Sequence, residues 1–269
     1  MPSSGELNIL FIGDIIGRQG RNAVERLLPG LKQEFSIDLT IANCENVAGG
    51  FGLTKKLADE LASLGIDVMT SGNHIWDRRE VMPDLDSMSN VLRPLNYPRG
   101  VPGRGWAIYE TGRNVKVCVI NLIGRVFMRA LDCPFRAADA ILSQVQGAVT
   151  VVDMHAEATS EKVAMGWYLD GRVAAVLGTH THVQTADERV LPRGTAYITD
   201  VGMTGPFDSV IGVDTAAIID RFLTGIPSRF DSATGDVRLC GTVISVDCQS
   251  QKAVAIKRIN CALEPGEAR

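Results

Sequence analysis

The chain has 269 residues, 45% hydrophobic and 22% charged, enough to bury a sizeable core in one large domain or two small ones. Its formal net charge of −4 argues against an extended nucleic-acid-binding surface, though not against a small anion held by a local positive charge. No apolar run is long enough to span a bilayer, and six cysteines without C-x-x-C spacing fit a reduced, cytoplasmic setting most simply, while their even number leaves disulfides open.

Leu7 to Gly13 is a short apolar run that reads as a buried first strand rather than a signal peptide. Val24, Leu27, Leu28, Leu31 and Phe35 then recur at helical spacing. Leu39 to Ala42 predicts a second strand. Leu57, Leu61 and Leu64 mark one face of a helix running from near Thr54 to just before Gly65. Val68 to Thr70 predicts a third strand, so residues 7–72 read β-α-β-α-β, which favours a parallel core with right-handed crossovers. From Asn90 to Gly105 the chain is rich in Pro, Gly and Arg; this loop is expected to form a rim or lid over a site.

Trp106 to Tyr109 and Val115 to Leu122 predict strands paired through a turn at Thr111 to Asn114. A helix follows over Ala137 to Val145, then a strand from Val149 leading to His155. Residues 160–169 predict a helix capped by Thr159 or Ser160, and Val173 to Leu177 a strand leading to His180. A hairpin is expected across Pro192 to Gly194, a helix over Thr215 to Leu223, and a closing antiparallel pair that turns near Gln249 to Gln251. No repeat or linker interrupts the pattern. Residues 1–269 therefore read as one domain, with a mixed, two-sheet core flanked by helices.

The polar residues that break this pattern are concentrated at strand exits. All four histidines lie in such places: Gly72-Asn73-His74, Asp153-Met154-His155 and Gly178-Thr179-His180-Thr181-His182. Gly13-Asp14 and Asn43-Cys44-Glu45-Asn46 precede them. Residues from several strand ends meeting at one sheet edge are how α/β proteins assemble sites. His180 and His182, two residues apart on an extended segment, would point to the same side. Glu45 has two oxygens with which to bridge two ions, Asn46 and Asn73 offer amide oxygens, and His74 can bind metal or transfer a proton. Asp14 reads either as a ligand or as a cap for a helix starting near Arg18. Glu157 lies beyond its strand end and is the weaker candidate. Gly49-Gly50-Phe51-Gly52 either makes a turn or lets the backbone approach an anion. Nitrogen and oxygen donors without thiolates suit iron, manganese, cobalt or zinc better than magnesium alone.

In this order the clusters resemble the calcineurin-like dinuclear metallophosphoesterases. Two departures stand out. Asp14-Ile15-Ile16 lacks the histidine of the usual D-x-H start, and Glu45-Asn46 replaces the usual G-D-x-x-D element. With Asp200-Val201-Gly202-Met203-Thr204-Gly205-Pro206, those departures are similar to the YmdB-type branch, from Leu7 to about Arg258.

That resemblance implies a four-layer α/β/β/α sandwich with mixed sheets. It implies two transition-metal ions, commonly iron, and hydrolysis of cyclic nucleotides, notably 2′,3′-cyclic ones to 3′-monophosphates. By motif position, Asp14, Glu45, Asn46 and His182 would hold one ion. Glu45, Asn73, His155 and His180 would hold the other, with Glu45 bridging and His74 as proton donor. Such a centre supplies activated water and offsets the charge of a phosphodiester. The alternatives are another metal-dependent hydrolase, such as a phosphomonoesterase, or a regulatory scaffold on the same fold. A small phosphodiester is the expected partner, no membrane is expected, and a homo-oligomer is left open.

Overall fold

A computed structural model describes residues 5–227 and 231–264. In chain order its elements are β1 (Glu6–Ile12), β2 (Asp14–Ile15), α1 (Gly17–Glu34), β3 (Leu39–Asn43), α2 (Lys55–Ser63) and β4 (Val68–Thr70). Next come β5 (Trp106–Glu110), β6 (Lys116–Ile123), α3 (Pro134–Leu142), β7 (Val149–His155), α4 (Thr159–Leu169) and β8 (Ala175–Thr179). The last are β9 (Arg189–Val190), β10 (Ala196–Ile198), β11 (Met203–Pro206), α5 (Thr215–Thr224), β12 (Val237–Asp247) and β13 (Lys252–Ala262).

The first sheet has the order β2-β11-β12-β1-β3-β4, with β13 also paired to β12. Its β1-β3-β4 part is parallel, as the β-α-β-α-β reading of residues 7–72 requires, while β12 joins β1 antiparallel. The second sheet runs β5-β6-β7-β8-β10-β9. Its centre, β6-β7-β8-β10, is parallel, and the predicted hairpins β5-β6 and β9-β10 are antiparallel edges.

Strand alternation places the layers. Ile9 and Phe11 of β1 meet Val119, Val151 and Leu177 in a core between the two sheets. Leu10 and Ile12, on the opposite face, pack against Val24 and Leu28 of α1 and Leu61 of α2. On the far side Ile120, Val152 and Val176 pack against Ala138 of α3 and Met165 and Leu169 of α4. The order is helix, sheet, sheet, helix, the expected α/β/β/α sandwich. Both faces of each central strand are covered, which is why those strands read as continuous apolar runs.

Helix ends depart from the sequence reading in three places. Ile16, not Asp14, precedes α1, and no side chain caps it. α3 starts at Pro134, whose fixed φ suits a first helical position, and ends at Leu142 rather than Val145. α4 is preceded by Ala158, and neither Thr159 nor Ser160 caps it. Thr54 does cap α2, accepting from the Leu57 N–H at 3.3 Å. Among the described residues no helix is long and apolar enough to cross a membrane. All six cysteines are free thiols.

Candidate metal centre

Parallel strands of both sheets end at one edge of the sandwich. There Asp14 opens β2, Glu45 and Asn46 follow β3, and Asn73 and His74 follow β4. From the second sheet His155 ends β7, while His180 and His182 follow β8. Close packing at this edge needs glycine: a Cβ on Gly72 would lie 2.1 Å from the His155 ring. The turn before Asn73 can therefore pass under the imidazole only because the side chain is missing.

Glu45, His155 and His180 form one group able to hold a metal ion, their ligand atoms all within 4.8 Å of one another. Glu45 Oε1 is 3.0 Å from His155 Nε2, and Glu45 Oε2 accepts the His74 backbone N–H at 2.8 Å. Asn73 Oδ1 lies 3.2 Å and His180 Nδ1 3.1 Å from the same His155 nitrogen. The other His155 nitrogen, Nδ1, is 2.9 Å from Thr179 Oγ1, which donates to Asp153 Oδ1 at 2.7 Å. That chain orients the ring and leaves Nε2 facing the cluster. His180 has the same design reversed: Nε2 meets Glu157 Oε2 at 3.1 Å, leaving Nδ1 inward. The weaker candidate, Glu157, thus sits at the rim as a partner of a ring rather than in the cluster.

The Asp14 side is adjacent. Asp14 Oδ2 accepts the His180 N–H at 3.2 Å, and Asp14 Oδ1 is 3.8 Å from His182 Nε2. Asn46 Nδ2 is 3.3 Å from that same nitrogen, while His182 Nδ1 bonds to the Ile211 carbonyl at 2.9 Å. The two histidines do converge, but not by strand alternation. β8 stops at Thr179, and His180 and His182 have φ of 99° and 66°. Their direction comes from left-handed backbone, a conformation that costs a non-glycine residue about 1–3 kcal/mol and needs the surroundings to impose it.

Asp200 imposes it. Its Oδ2 accepts from Thr181 N at 3.1 Å, Thr181 Oγ1 at 2.7 Å and Lys162 Nζ at 2.6 Å. Its Oδ1 accepts from Gly202 N at 2.8 Å. Both members of the Lys162–Asp200 pair are buried.

The ionisable groups of the cluster shift one another in opposite directions. Burial opposes ionisation of Glu45, yet His155 and the His74 N–H hold its carboxyl down at about 2. Burial likewise opposes charge on His155, but Glu45, Asp14 and Asp153 lift its imidazole to about 9. Burial, and then the neighbouring His155, push His180 down to about 3. Asp153 is raised to about 7 by burial.

His74 stands at the edge of the cluster. Its Nδ1 is 2.7 Å from Asp77 Oδ2, so Nε2 is the nitrogen left for proton transfer. Phe51 packs edge-on to the ring, centroids 4.9 Å apart. The glycine loop that carries Phe51 makes a turn: Arg78 bonds to the Ala48 and Phe51 carbonyls, and Gly52, at φ 84°, packs against the Arg78 side chain.

A cavity of about 370 Å³ opens over Glu45, Asn46, His74, His180 and His182. Its outer wall is not the Asn90–Gly105 loop, which lines no part of it, but Val210 to Val213 and α5. The expected lid is instead braced in place: Arg93 bonds to the Pro94 carbonyl within it, Asn96 ties it to the Ile123 carbonyl, and Tyr97 packs edge-on to Trp76.

Asp14 Oδ1 is buried with no hydrogen-bond partner, and Glu45 Oε1 is buried facing His155 Nε2 at 3.0 Å. Buried carboxylate oxygens of that kind, facing ring nitrogens whose opposite atoms are already engaged, have the donor chemistry of a cation site. The residues present therefore fit metal ions.

The YmdB-like protein family model matches residues 10–259. The chain belongs to the YmdB-like family. It is 50% identical over 255 residues to the 2′,3′-cyclic-nucleotide 2′-phosphodiesterase of Bacillus subtilis (strain 168), covering 94% of this chain and 96% of that one. Among solved structures, a phosphatase from Mycoplasma pneumoniae superposes with a TM-score of 0.91 at 33% identity, covering 98% of this chain and 96% of that one. A hypothetical protein from Thermus thermophilus superposes with a TM-score of 0.89 at 44% identity, covering 95% and 99%.

The sequence reading passed over Asp77, Asp153, Thr179, Lys162 and Asp200 as site residues. Two signals were available. Asp153 is two residues before His155 on one strand, hence on the same face, and Asp77 is three residues after His74 in a turn.

Proposed function

We propose that this YmdB-like chain is a dinuclear metal-dependent phosphodiesterase that opens 2′,3′-cyclic nucleotides to 3′-monophosphates. Asp14, Glu45, Asn46 and His182 hold one ion; Glu45, Asn73, His155 and His180 hold the other. Iron is the first choice for both, ahead of manganese, cobalt or zinc. Because those residues come from both sheets, residues 1–269 act as one catalytic domain.

The observation that carries the reading is the partnerless buried Asp14 Oδ1 beside the buried Glu45 Oε1, which faces His155 Nε2, among inward ring nitrogens. Two bound ions would supply an activated water and positive charge against the phosphoryl oxygens. The remaining steps belong to the chain. Glu45, whose Oε2 keeps the His74 segment in place, would be the carboxylate shared by both ions. His74, held through Nδ1 by Asp77, gives the Nε2 proton to the departing sugar oxygen.

The substrate class is supported by the activity named for the Bacillus subtilis relative. Metal-reconstituted protein incubated with adenosine 2′,3′-cyclic phosphate, followed by phosphorus NMR, tests it. The expected product is adenosine 3′-phosphate. Predominant 2′-phosphate would overturn the regiochemistry. Turnover of phosphomonoesters but of no cyclic nucleotide would overturn the substrate class.

A further inference from the structure

α5 carries Ile218, Ile219, Phe222 and Leu223, yet buries none of its residues, and Phe222 is 84% exposed. An apolar helix face usually packs against the core. This one does not, but Ile218 and Phe222, four residues apart and so on one side of the helix, line the cavity over the candidate metal centre. Ile211 and Val213 extend the same wall, and Phe51 closes the His74 end. One cavity thus joins a strongly polar floor, made for a phosphoryl group, to an aliphatic and aromatic wall.

We propose that this wall is the nucleobase subsite, with Phe222 and Ile218 as its contact residues. The inference rests on the cyclic-nucleotide reading above. If the cyclic phosphate lies on the floor, the rest of the nucleotide has to extend within the same cavity, whose 370 Å³ falls in the size range of small-molecule sites. A planar heteroaromatic base is the part of that ligand that suits carbon surfaces. Phe222 and Ile218 offer faces and methyl groups to it, not hydrogen bonds. The Phe222 and Ile218 contacts therefore read area rather than base edges, and accept purines and pyrimidines with a preference for the larger ring.

The test compares adenosine 2′,3′-cyclic phosphate with methyl β-ribofuranoside 2′,3′-cyclic phosphate, which has no base, on the metal-loaded full chain. Wild-type protein should favour the base-bearing substrate in kcat/KM. In Phe222→Ala that advantage should shrink by roughly 5- to 150-fold, the range expected for loss of a base–aromatic contact. The loss should fall mainly on KM. Ile218→Ala should act in the same direction. Leu223→Ala, exposed on the same helix but outside the cavity, should leave the ratio as it is.

An unchanged ratio in Phe222→Ala and Ile218→Ala, or equal rates for both substrates with wild type, overturns the base subsite while leaving the reaction intact. Variants that alter the sedimenting mass without altering the ratio make α5 a subunit contact instead. No turnover of either cyclic phosphate by metal-loaded wild type removes the reaction itself, and the subsite with it.

Discussion

His74 has one ring nitrogen engaged by Asp77 and its backbone N–H engaged by Glu45, so its position depends on two carboxylates rather than on a metal. His74→Ala should therefore lower kcat by about 10²–10⁴-fold, the usual worth of a general acid, with metal content retained. A nitrophenyl phosphodiester, whose leaving group needs no proton, should recover part of the loss. Loss of metal, or equal impairment with both substrates, would make His74 a ligand or a structural residue. Glu45→Ala should deplete both ions on elemental analysis, since Glu45 contacts the His155 side and is the proposed bridge. A variant with one ion lost and full activity would contradict the bridge. The eight candidate residues were readable because each interrupts an apolar run at a strand exit. Asp77 and Asp153 carried only their spacing from a histidine as a signal, and a polar residue two or three positions away looks the same in sequence whether it bonds that ring or water.

The Gly178–His182 turn shows what an element adds. Sequence spacing led to the right convergence of His180 and His182 for the wrong reason, since extended geometry was assumed where the backbone is left-handed. Side-chain type does not encode a positive φ in histidine; the Asp200 bonds from across the fold do. Breaking that support should loosen both rings. Asp200→Asn alone would leave Lys162 charged and buried without its partner, a change that costs about 3–5 kcal/mol. The paired replacement Lys162→Met with Asp200→Asn avoids this. Its metal affinity, measured by titration with Mn²⁺, should fall by about 10–100-fold, as for other residues that orient ligands. A lower melting temperature with undiminished affinity would make the pair structural only. The misplaced lid has a similar origin. A Pro- and Gly-rich segment looks like a rim, but Asn90–Gly105 is bonded to backbone, and the actual wall is an ordinary amphipathic helix in sequence.

At the scale of the molecule, the centre sits where two sheets end. Asp14, Glu45, Asn46 and Asn73 belong to the first sheet's strand ends, and His155, His180 and His182 to the second's. The layered core was predictable from continuous apolar strand runs and helical stripes. The alignment of both sheet edges was not, because it depends on how the inter-sheet core stacks Ile9 and Phe11 on Val119 and Val151. A consequence of the proposed ligand set is that bound ions would tie the sheets together, so that their binding energy would add to folding stability. At free metal one hundred times the dissociation constant the gain is about 2.7 kcal/mol per site. Chelation should lower the melting temperature, and the melting temperature should rise with free metal. Asp14 separates this effect from simple packing. Without metal it is a fully buried carboxylate whose Oδ1 has no partner, and burial raises its pKa. Asp14→Asn removes that buried charge and keeps an oxygen for the His180 N–H. The variant should therefore melt higher than wild type in chelator and lower than wild type in saturating metal. Differential scanning calorimetry under both conditions reads the crossing directly. If Asp14→Asn melts lower in both, Asp14 stabilises the fold without metal, and the proposed role of the partnerless oxygen as a ligand is lost.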